Sequence, residues 1–268
     1  MTAAPGNDRT DAADHGPRNA ALGLPPQIRA CLFDLDGVLT QTASVHAAAW
    51  KQAFDAFLQE HATQTGTPFT PFDKVKDYEE YVDGKPREDG VRDFLASRKI
   101  TLPEGGEDDP AGKATVYGVG NGKNELFNKL LKEDGLEPFE GSVRYVHAAR
   151  AAGLRCAVVS SSANTHAILK AVGLDGQFEA VVDGNDVHRL KLHGKPAPDS
   201  FLAGAKAVQT EPAEAVVFED ALAGVAAGRA GHFGYVIGVD RLDQAEQLRE
   251  HGADVVVEDL AELLGAKS

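Results

Sequence analysis

The sequence has few cysteines and no long apolar run, and each shortage excludes a class of protein. Its two cysteines, Cys31 and Cys156, lie far apart in the apolar runs 28–33 and 154–159, without metal-ligand spacing. We interpret both as small buried hydrophobic residues rather than disulfide partners or zinc ligands. No apolar stretch approaches the ~18 residues of a membrane span, and the N-terminus lacks the charged-then-apolar pattern of a secretory signal. We therefore expect a cytoplasmic protein that does not act at a membrane.

Positive charge is also scarce. The 268 residues carry 27 Lys and Arg against 41 Asp and Glu, a formal net charge of −14, and no basic patch is segregated along the chain. Such a protein would repel nucleic acid, so we expect no nucleic-acid partner. If it acts on an anionic substrate, a few placed cations or a metal ion must supply the positive charge locally.

A globular core is nevertheless expected, because 43% of the residues are hydrophobic and 25% are charged. Residues 1–26 are rich in Ala, Gly, Asp, Asn and Pro without apolar periodicity, and we predict a disordered tail there. From residue 28 onward, apolar runs typical of buried strands alternate with helical patterns, which predicts βαβ units and a parallel sheet. The predicted strands are 28–33, 154–160, 180–183, 215–218, 234–239 and 254–257.

The fold class we predict is α/β, with a doubly wound parallel-sheet core formed by residues 27–46 and 141–268. Residues 47–140 contain helical patterns separated by breaks rich in Gly, Pro and Asp, and we predict an inserted α-helical cap domain. Apolar residues at helical spacings of three and four mark its first helix: Ala43, Ala47, Trp50, Phe54, Phe57 and Leu58.

Polar side chains follow most of the predicted strands. In an open parallel sheet, ligands bind at the carboxyl ends of the strands, so side chains from different strands should meet at one edge. The polar residues at these ends are Asp34, Asp36, Ser160, Ser161, Ser162, Asp183, Glu219, Asp220 and Asp240. Their convergence predicts an oxygen-rich site.

Asp34 and Asp36 are the strongest candidates at this edge. They are two residues apart directly after a strand, and Gly37 permits the tight turn that would free both side chains. Two neighbouring carboxylates repel each other, and a hard divalent cation with oxygen ligands relieves that repulsion. By contrast, we interpret Asp183 as a turn residue and Asp199 as the cap of the following helix.

Four short segments, in order along the chain, resemble the motifs of one known superfamily. The run Asp34-Leu35-Asp36-Gly37-Val38-Leu39-Thr40 resembles the first motif of the haloacid dehalogenase superfamily. Segments similar to its second, third and fourth motifs follow in order, namely Val158-Val159-Ser160-Ser161, Gly194-Lys195-Pro196-Ala197-Pro198-Asp199 and Val216-Val217-Phe218-Glu219-Asp220. The resemblance extends from about residue 28 to the end of the chain.

The resemblance implies roles for the core residues. Asp34 would attack phosphorus and form an aspartyl-phosphate, while Asp36 would act as general acid and base. Ser160 would bond a phosphoryl oxygen, and Lys195 would neutralise charge on the phosphate and the nucleophile. A Mg²⁺ ion is the implied cofactor, and its implied ligands are the carboxylates of Asp34, Asp36, Glu219 and Asp220 with the carbonyl of Leu35.

Within the superfamily, Thr42-Ala43-x-x-His46-x-x-x-Trp50-Lys51 resembles the hinge and first cap helix of the β-phosphoglucomutase subgroup. This implies that His46 couples with Asp36. A cap loop at 82–89 resembles the one whose Arg binds the distal phosphate of a bisphosphorylated sugar. The implied substrate-binding residues are Thr42, Trp50, Gly84, Arg87, Lys123, Asn124, Ser161, Ser162 and Asn164.

The expected activity is therefore Mg²⁺-dependent interconversion of β-D-glucose 1-phosphate and glucose 6-phosphate by a monomeric enzyme. Two alternatives stay open: a phosphatase acting on a small sugar phosphate, and a non-catalytic regulatory module that kept the fold. Two departures from the subgroup bear on the sugar. Ala163 stands where those enzymes commonly carry Lys, and the cap insert is longer around residues 102–120.

Overall fold

A computed structural model describes residues 16–265 of the chain. Its centre is a six-stranded parallel sheet in the order β3-β2-β1-β4-β5-β6, the strand order of a doubly wound fold. The strands are β1 Ala30–Phe33, β2 Arg155–Val159, β3 Ala180–Val182, β4 Ala215–Glu219, β5 Tyr235–Val239 and β6 Val255–Val257. Each predicted strand is present, so the predicted fold class is confirmed.

Helices cover both faces of this sheet. They are α5 Glu140–Ala151, α6 Thr165–Ala171, α7 Gly184–Leu190, α8 Asp199–Ala207, α9 Leu222–Ala230 and α10 Ala245–His251. On one face Phe33 stacks on Phe218 with ring centroids 4.5 Å apart and meets Tyr145 of α5 edge-on. On the other face Leu32 packs in one cluster with Phe201 of α8 and Val225 of α9.

Strand β1 therefore lies inside the sheet and is protected from solvent on both faces. It is hydrogen-bonded to β2 on one side and β4 on the other, and all four of its residues are buried. Cys31 on β1 and Cys156 on β2 are buried free thiols, as predicted.

The chain between β1 and α5 forms a helical insert with a core of its own. It contains α2 Ala43–Thr65, a π-helical turn Tyr78–Val82, α3 Arg87–Ser97 and α4 Val116–Asp134. Aromatic rings dominate its centre, where Phe54 packs between Trp50, Phe72 and Phe94. Helix α2 begins at Ala43 and crosses the predicted domain boundary between residues 46 and 47 without a break. No helix in residues 16–265 is long and apolar enough to cross a membrane.

The predicted disorder of residues 1–26 is wrong for residues 16–26, while residues 1–15 lie outside the described part. Helix α1 spans Gly16–Ala20, and Leu22 and Leu24 after it are buried against the sheet's main core. The Asn19 amide donates to the carbonyls of Pro25 and Ile28, both at 2.9 Å. Two leucines and one buried amide anchor a segment whose composition otherwise resembles a disordered one.

Replacing Leu24 by Ala should lower the free energy of unfolding by about 2–5 kcal/mol, because the side chain is buried and its loss leaves a cavity. Denaturant unfolding of the purified protein measures this. Leu242→Ala, at a position 43% exposed, is the matched control and should change stability by less than about 0.5 kcal/mol. Equal stability of Leu24→Ala and the wild type would show that the segment does not belong to the core.

Candidate active site

Strands β1 and β4 deliver three carboxylates to one point. Asp34 follows β1, and its backbone N–H donates to the carbonyl of Phe218 at 3.0 Å, which keeps it in line with the sheet. Glu219 ends β4 and Asp220 follows it. One oxygen from each of these three buried side chains lies within 4.8 Å of the others. The predicted convergence of Asp34, Glu219 and Asp220 therefore exists.

Lys195 partly neutralises this carboxylate cluster, which we define as Asp34, Glu219 and Asp220. Its buried ammonium lies 2.5 Å from Asp34 Oδ1 and also donates to Glu219. Burial raises the pKa of Asp34 well above its usual range, and the Lys195 charge opposes that rise. Burial likewise opposes the charge on Lys195, but Asp34 and Glu219 outweigh it and raise the pKa of Lys195. The arrangement keeps Lys195 charged beside Asp34.

Two glycines make room for the cluster. Gly37 has a φ of +84°, and a Cβ there would lie 1.7 Å from Asp220 Oδ2. A Cβ on Gly224 would lie 1.8 Å from Glu219 Oε1. Any larger residue at either position would displace a cluster carboxylate.

The carboxylate cluster fits a hard divalent cation in donor type, since its oxygens are close together and only one ammonium balances three carboxylates. Two of the predicted ligands do not belong to it. The Leu35 carbonyl accepts hydrogen bonds from the Leu39 N–H at 2.9 Å and from the Thr40 N–H and hydroxyl at 3.0 and 3.1 Å, so its lone pairs are in use. The Asp36 carboxylate lies outside the cluster.

Asp36 is held instead by Thr42 and His46. The Thr42 hydroxyl donates to Asp36 Oδ1, and His46 Nε2 lies 3.2 Å from the same oxygen. Burial alone would raise the pKa of Asp36, but His46 and Thr42 together lower it. Thr42, expected to bind substrate, is fully buried and does not line the cavity.

Lys123 extends this contact into the cap. Its ammonium lies 2.6 Å from His46 Nδ1 and sits over the rings of Trp50 and Phe127, 4.9 and 5.1 Å from their centroids. If the ammonium donates to Nδ1, the remaining ring proton is on Nε2 and faces Asp36. Burial lowers the pKa of Lys123 to about 7, against a weaker opposing effect of Asp36. Burial and the Lys123 charge also lower the pKa of His46.

Cap and core meet around a cavity of about 560 Å³. The Ser161 hydroxyl donates to the Gly84 carbonyl at 2.7 Å, and the Asn164 amide donates to Asn124 Oδ1 at 2.9 Å. The predicted site residues that line the cavity are Asp34, Asp36, His46, Trp50, Gly84, Arg87, Lys123, Asn124, Ser161, Ser162, Asn164 and Asp220. The structure thus brings the predicted cap and core residues together.

Three predicted core residues lie behind the cavity wall rather than on it: Ser160, Lys195 and Glu219. All three are buried, and the Ser160 hydroxyl accepts the Ser162 N–H at 3.0 Å. Within the cavity, Arg87 pairs with its neighbour Glu88 at 2.9 Å. An anion that binds Arg87 must therefore compete with Glu88.

Asp183, Asp199 and Asp240 do not line the cavity. Asp183 caps α7 by accepting the Asp186 N–H at 3.0 Å. The prediction that Asp199 caps α8 is wrong. It is the first residue of that helix, and its carboxylate accepts a hydrogen bond from the His193 N–H and lies 2.9 Å from the His193 ring Nδ1.

Sequence reasoning missed several residues on the cavity wall. They are Tyr78, Asp83, Glu88, Glu107, Asp108, Tyr117, Asn185, His188 and Arg189. Asp83 and Glu88 flank Gly84 and Arg87 in the cap segment 82–89, which was a usable signal. The others come from the helical insert between β1 and α5 and from α7, and no sequence motif marked them.

Comparison with known proteins decides the family. The family model of haloacid dehalogenase-like hydrolases matches residues 28–232. The chain belongs to this family. It is 58% identical over 250 residues to the β-phosphoglucomutase of Mycobacterium tuberculosis, covering 92% of this chain and 95% of the relative. It is 31% identical to that of Bacillus subtilis, covering 88% and 92%.

A solved structure shares the fold of this chain. The crystal structure of a Clostridium difficile β-phosphoglucomutase aligns with a TM-score of 0.68 at 23% identity, covering 88% of this chain and 93% of that one. The predicted family, its β-phosphoglucomutase-like subgroup and the prediction of an enzyme are confirmed. The predicted monomer and the cytoplasmic location stay predictions.

Burial of Lys123 should lower the free energy of unfolding of this haloacid dehalogenase-like enzyme at neutral pH. Its pKa is about 7 in the folded protein against 10.5 ordinarily, so the unfolded chain binds the proton more tightly. The cost, about 2–5 kcal/mol, is fully present below pH 7 and disappears as the pH rises toward 10.5. Lys123→Met should therefore raise the melting temperature at pH 7 without substrate, and by less at pH 10.

Lys129→Met, at an exposed position of the same helix α4, is the control and should leave the melting temperature unchanged at both pH values. A lower melting temperature for Lys123→Met at pH 7 would contradict the interpretation.

Proposed function

We propose that this enzyme is a Mg²⁺-dependent phosphotransferase that interconverts β-D-glucose 1-phosphate and glucose 6-phosphate through an aspartyl-phosphate on Asp34. The observation that carries the proposal is the pairing of Asp34 with a buried ammonium, in a cavity that Arg87 and Lys123 of the cap also line. A cavity with positive charge beside Asp34 and again on the cap suits a sugar that carries a phosphate at each end.

As the nucleophile, Asp34 must be ionised and must approach an anionic phosphate. The Lys195 charge favours the ionised form of Asp34 and lies where it can also attract a phosphoryl oxygen. When bound by Asp34, Glu219 and Asp220, Mg²⁺ supplies further positive charge that reduces repulsion between the carboxylate and the phosphate. Ser160, beneath the Ser162 N–H, holds the loop that would bond the phosphoryl oxygens.

Asp36 transfers the proton. Because Thr42 and His46 lower its pKa, Asp36 rests ionised and can accept the proton of the sugar hydroxyl that attacks the aspartyl-phosphate. The protonated carboxyl then donates to the leaving sugar oxygen when Asp34 attacks the other phosphate. The same group therefore serves both halves of the reaction.

The cap determines which acceptor reaches the aspartyl-phosphate. Arg87 can bind a distal phosphate through two parallel N–H donors, and Ser162 and Asn164 line the same cavity from the core. A sugar held in this way occupies the position that water would need. Transfer to the sugar, rather than hydrolysis, follows from filling the cavity.

The direct test is ³¹P NMR of the protein with Mg²⁺ and β-glucose 1-phosphate, primed by a trace of glucose 1,6-bisphosphate. We expect glucose 6-phosphate to appear without a matching amount of inorganic phosphate, and Asp34→Asn to abolish the conversion because the nucleophile is lost. Asp240→Asn, outside the cavity, should retain activity. Release of inorganic phosphate alone would make the enzyme a phosphatase and overturn the mutase assignment.

Arg87→Ala should lower kcat/KM for β-glucose 1-phosphate by roughly 10- to 100-fold, the effect of losing a hydrogen-bonded ion pair of about 1.5–3 kcal/mol. Arg87→Lys should recover only part of it, because Lys cannot donate two parallel bonds. Arg92→Ala is the control, since Arg92 lies on the same helix α3 but points to Asp89 and Glu104 at the surface. An unchanged kcat/KM in Arg87→Ala would show that Arg87 does not bind the distal phosphate.

A further inference from the structure

Asp83 is a carboxylate of the cap that faces the catalytic carboxylates of the core. It directly precedes Gly84 in the cap loop and lines the cavity together with Asp34, Asp36 and Asp220. Burial and the charges of Glu219 and Asp36 raise the pKa of Asp83 to about 7, and burial and the charge of Asp83 raise the pKa of Asp220. Nothing in the four sequence motifs pointed to this residue.

The cations near Asp83 are paired with other carboxylates. Lys85 forms an ion pair with Asp93, and Arg87 forms one with Glu88. Lys195 lies between Asp34 and Glu219, and its charge lowers the pKa of Asp83 by less than the charges of Glu219 and Asp36 raise it. Asp83 therefore adds a fourth carboxylate to the three-carboxylate cluster without adding a cation, and like charges at short range in a buried site destabilise one another.

This juxtaposition exists because the cap loop is docked on the core. The Gly84 carbonyl accepts a hydrogen bond from the Ser161 hydroxyl. Gly84 also lies so near Ala221 that an added Cβ would come within 2.9 Å of the Ala221 Cβ. On the other side of the loop, a Cβ on Gly194 would lie 2.2 Å from the Pro86 ring. Movement of the cap away from the core would take Asp83 away from the cluster.

We infer that Asp83 is a positioning residue that makes closure of the cap depend on the divalent cation held by the core carboxylates. Without the cation, Asp83 is repelled by the carboxylate cluster and the cap opens. With the cation bound, the same carboxylate is attracted, and closure becomes favourable. The inference rests on the Mg²⁺ site of the proposed function.

Thermodynamic linkage gives this inference a second consequence. If the cation favours the closed cap, closure must increase the affinity for the cation by the same factor. Removing the charge of Asp83 should therefore weaken cation binding while making the cation-free closed form easier to reach.

The test compares the wild type with Asp83→Asn by calorimetric titration with MgCl₂ in the absence of substrate. We expect the Kd for Mg²⁺ to rise about five-fold or more, the lower end of typical coupling between sites. Asp83→Glu, which keeps the charge, should recover part of the affinity. Glu60→Gln removes an exposed cap carboxylate on α2 and should bind Mg²⁺ like the wild type.

Small-angle X-ray scattering gives an independent readout. The wild type should become more compact when Mg²⁺ replaces EDTA, and the change should be smaller for Asp83→Asn. The melting temperature of Asp83→Asn in EDTA should equal or exceed that of the wild type, whereas loss of a merely structural contact would lower it. An unchanged Mg²⁺ affinity in Asp83→Asn would overturn the inference while leaving the proposed function intact. A wild type that binds no Mg²⁺ would overturn both.

Discussion

The structure depends on burying several carboxylates beside one ammonium at the carboxyl edge of a parallel sheet. Lys195 between Asp34 and Glu219 offsets part of the desolvation and repulsion, and the remaining excess of negative charge suits a cation. The register of β1 against β4 places Phe33 opposite Phe218, so the residues that follow them emerge side by side. Gly37 and Gly224 then leave the space that the carboxylates occupy. The apolar core fixes the backbone, and the backbone fixes where the charges meet.

The cap adds charges of both signs to this edge at a cost in stability. Lys123 is buried over Trp50 and Phe127 with its charge disfavoured, yet in that position it reaches His46 and through it Asp36. A hydrophobic residue would pack there more favourably. The position is therefore better explained by function than by folding, in keeping with the general conflict between an active site's demands and stability.

Sequence reasoning located the site well because the relevant residues follow strands, and strand ends are coupled by the geometry of the sheet. Side-chain direction after the strand was not accessible in the same way. The Leu35 carbonyl and the Asp36 carboxylate were expected to bind the cation, but hydrogen bonds from Thr40 to Leu35 and from Thr42 to Asp36 orient these groups otherwise. The segment around Leu22 and Leu24 was missed because two buried leucines give no periodicity.

The same charges bear on how the cap, if it closes in the proposed reaction, can also reopen. In that reaction a bisphosphorylated sugar would have to present first one phosphate and then the other to Asp34, so the cavity cannot hold both phosphates permanently. Glu88 already occupies Arg87 in the absence of substrate, which reduces the net gain when a phosphate displaces it. Asp83 opposes closure whenever the charge on the core is not compensated. In the proposed reaction each acidic neighbour weakens an attraction that is needed only for part of the cycle, which gives the acidic groups around the cavity a function.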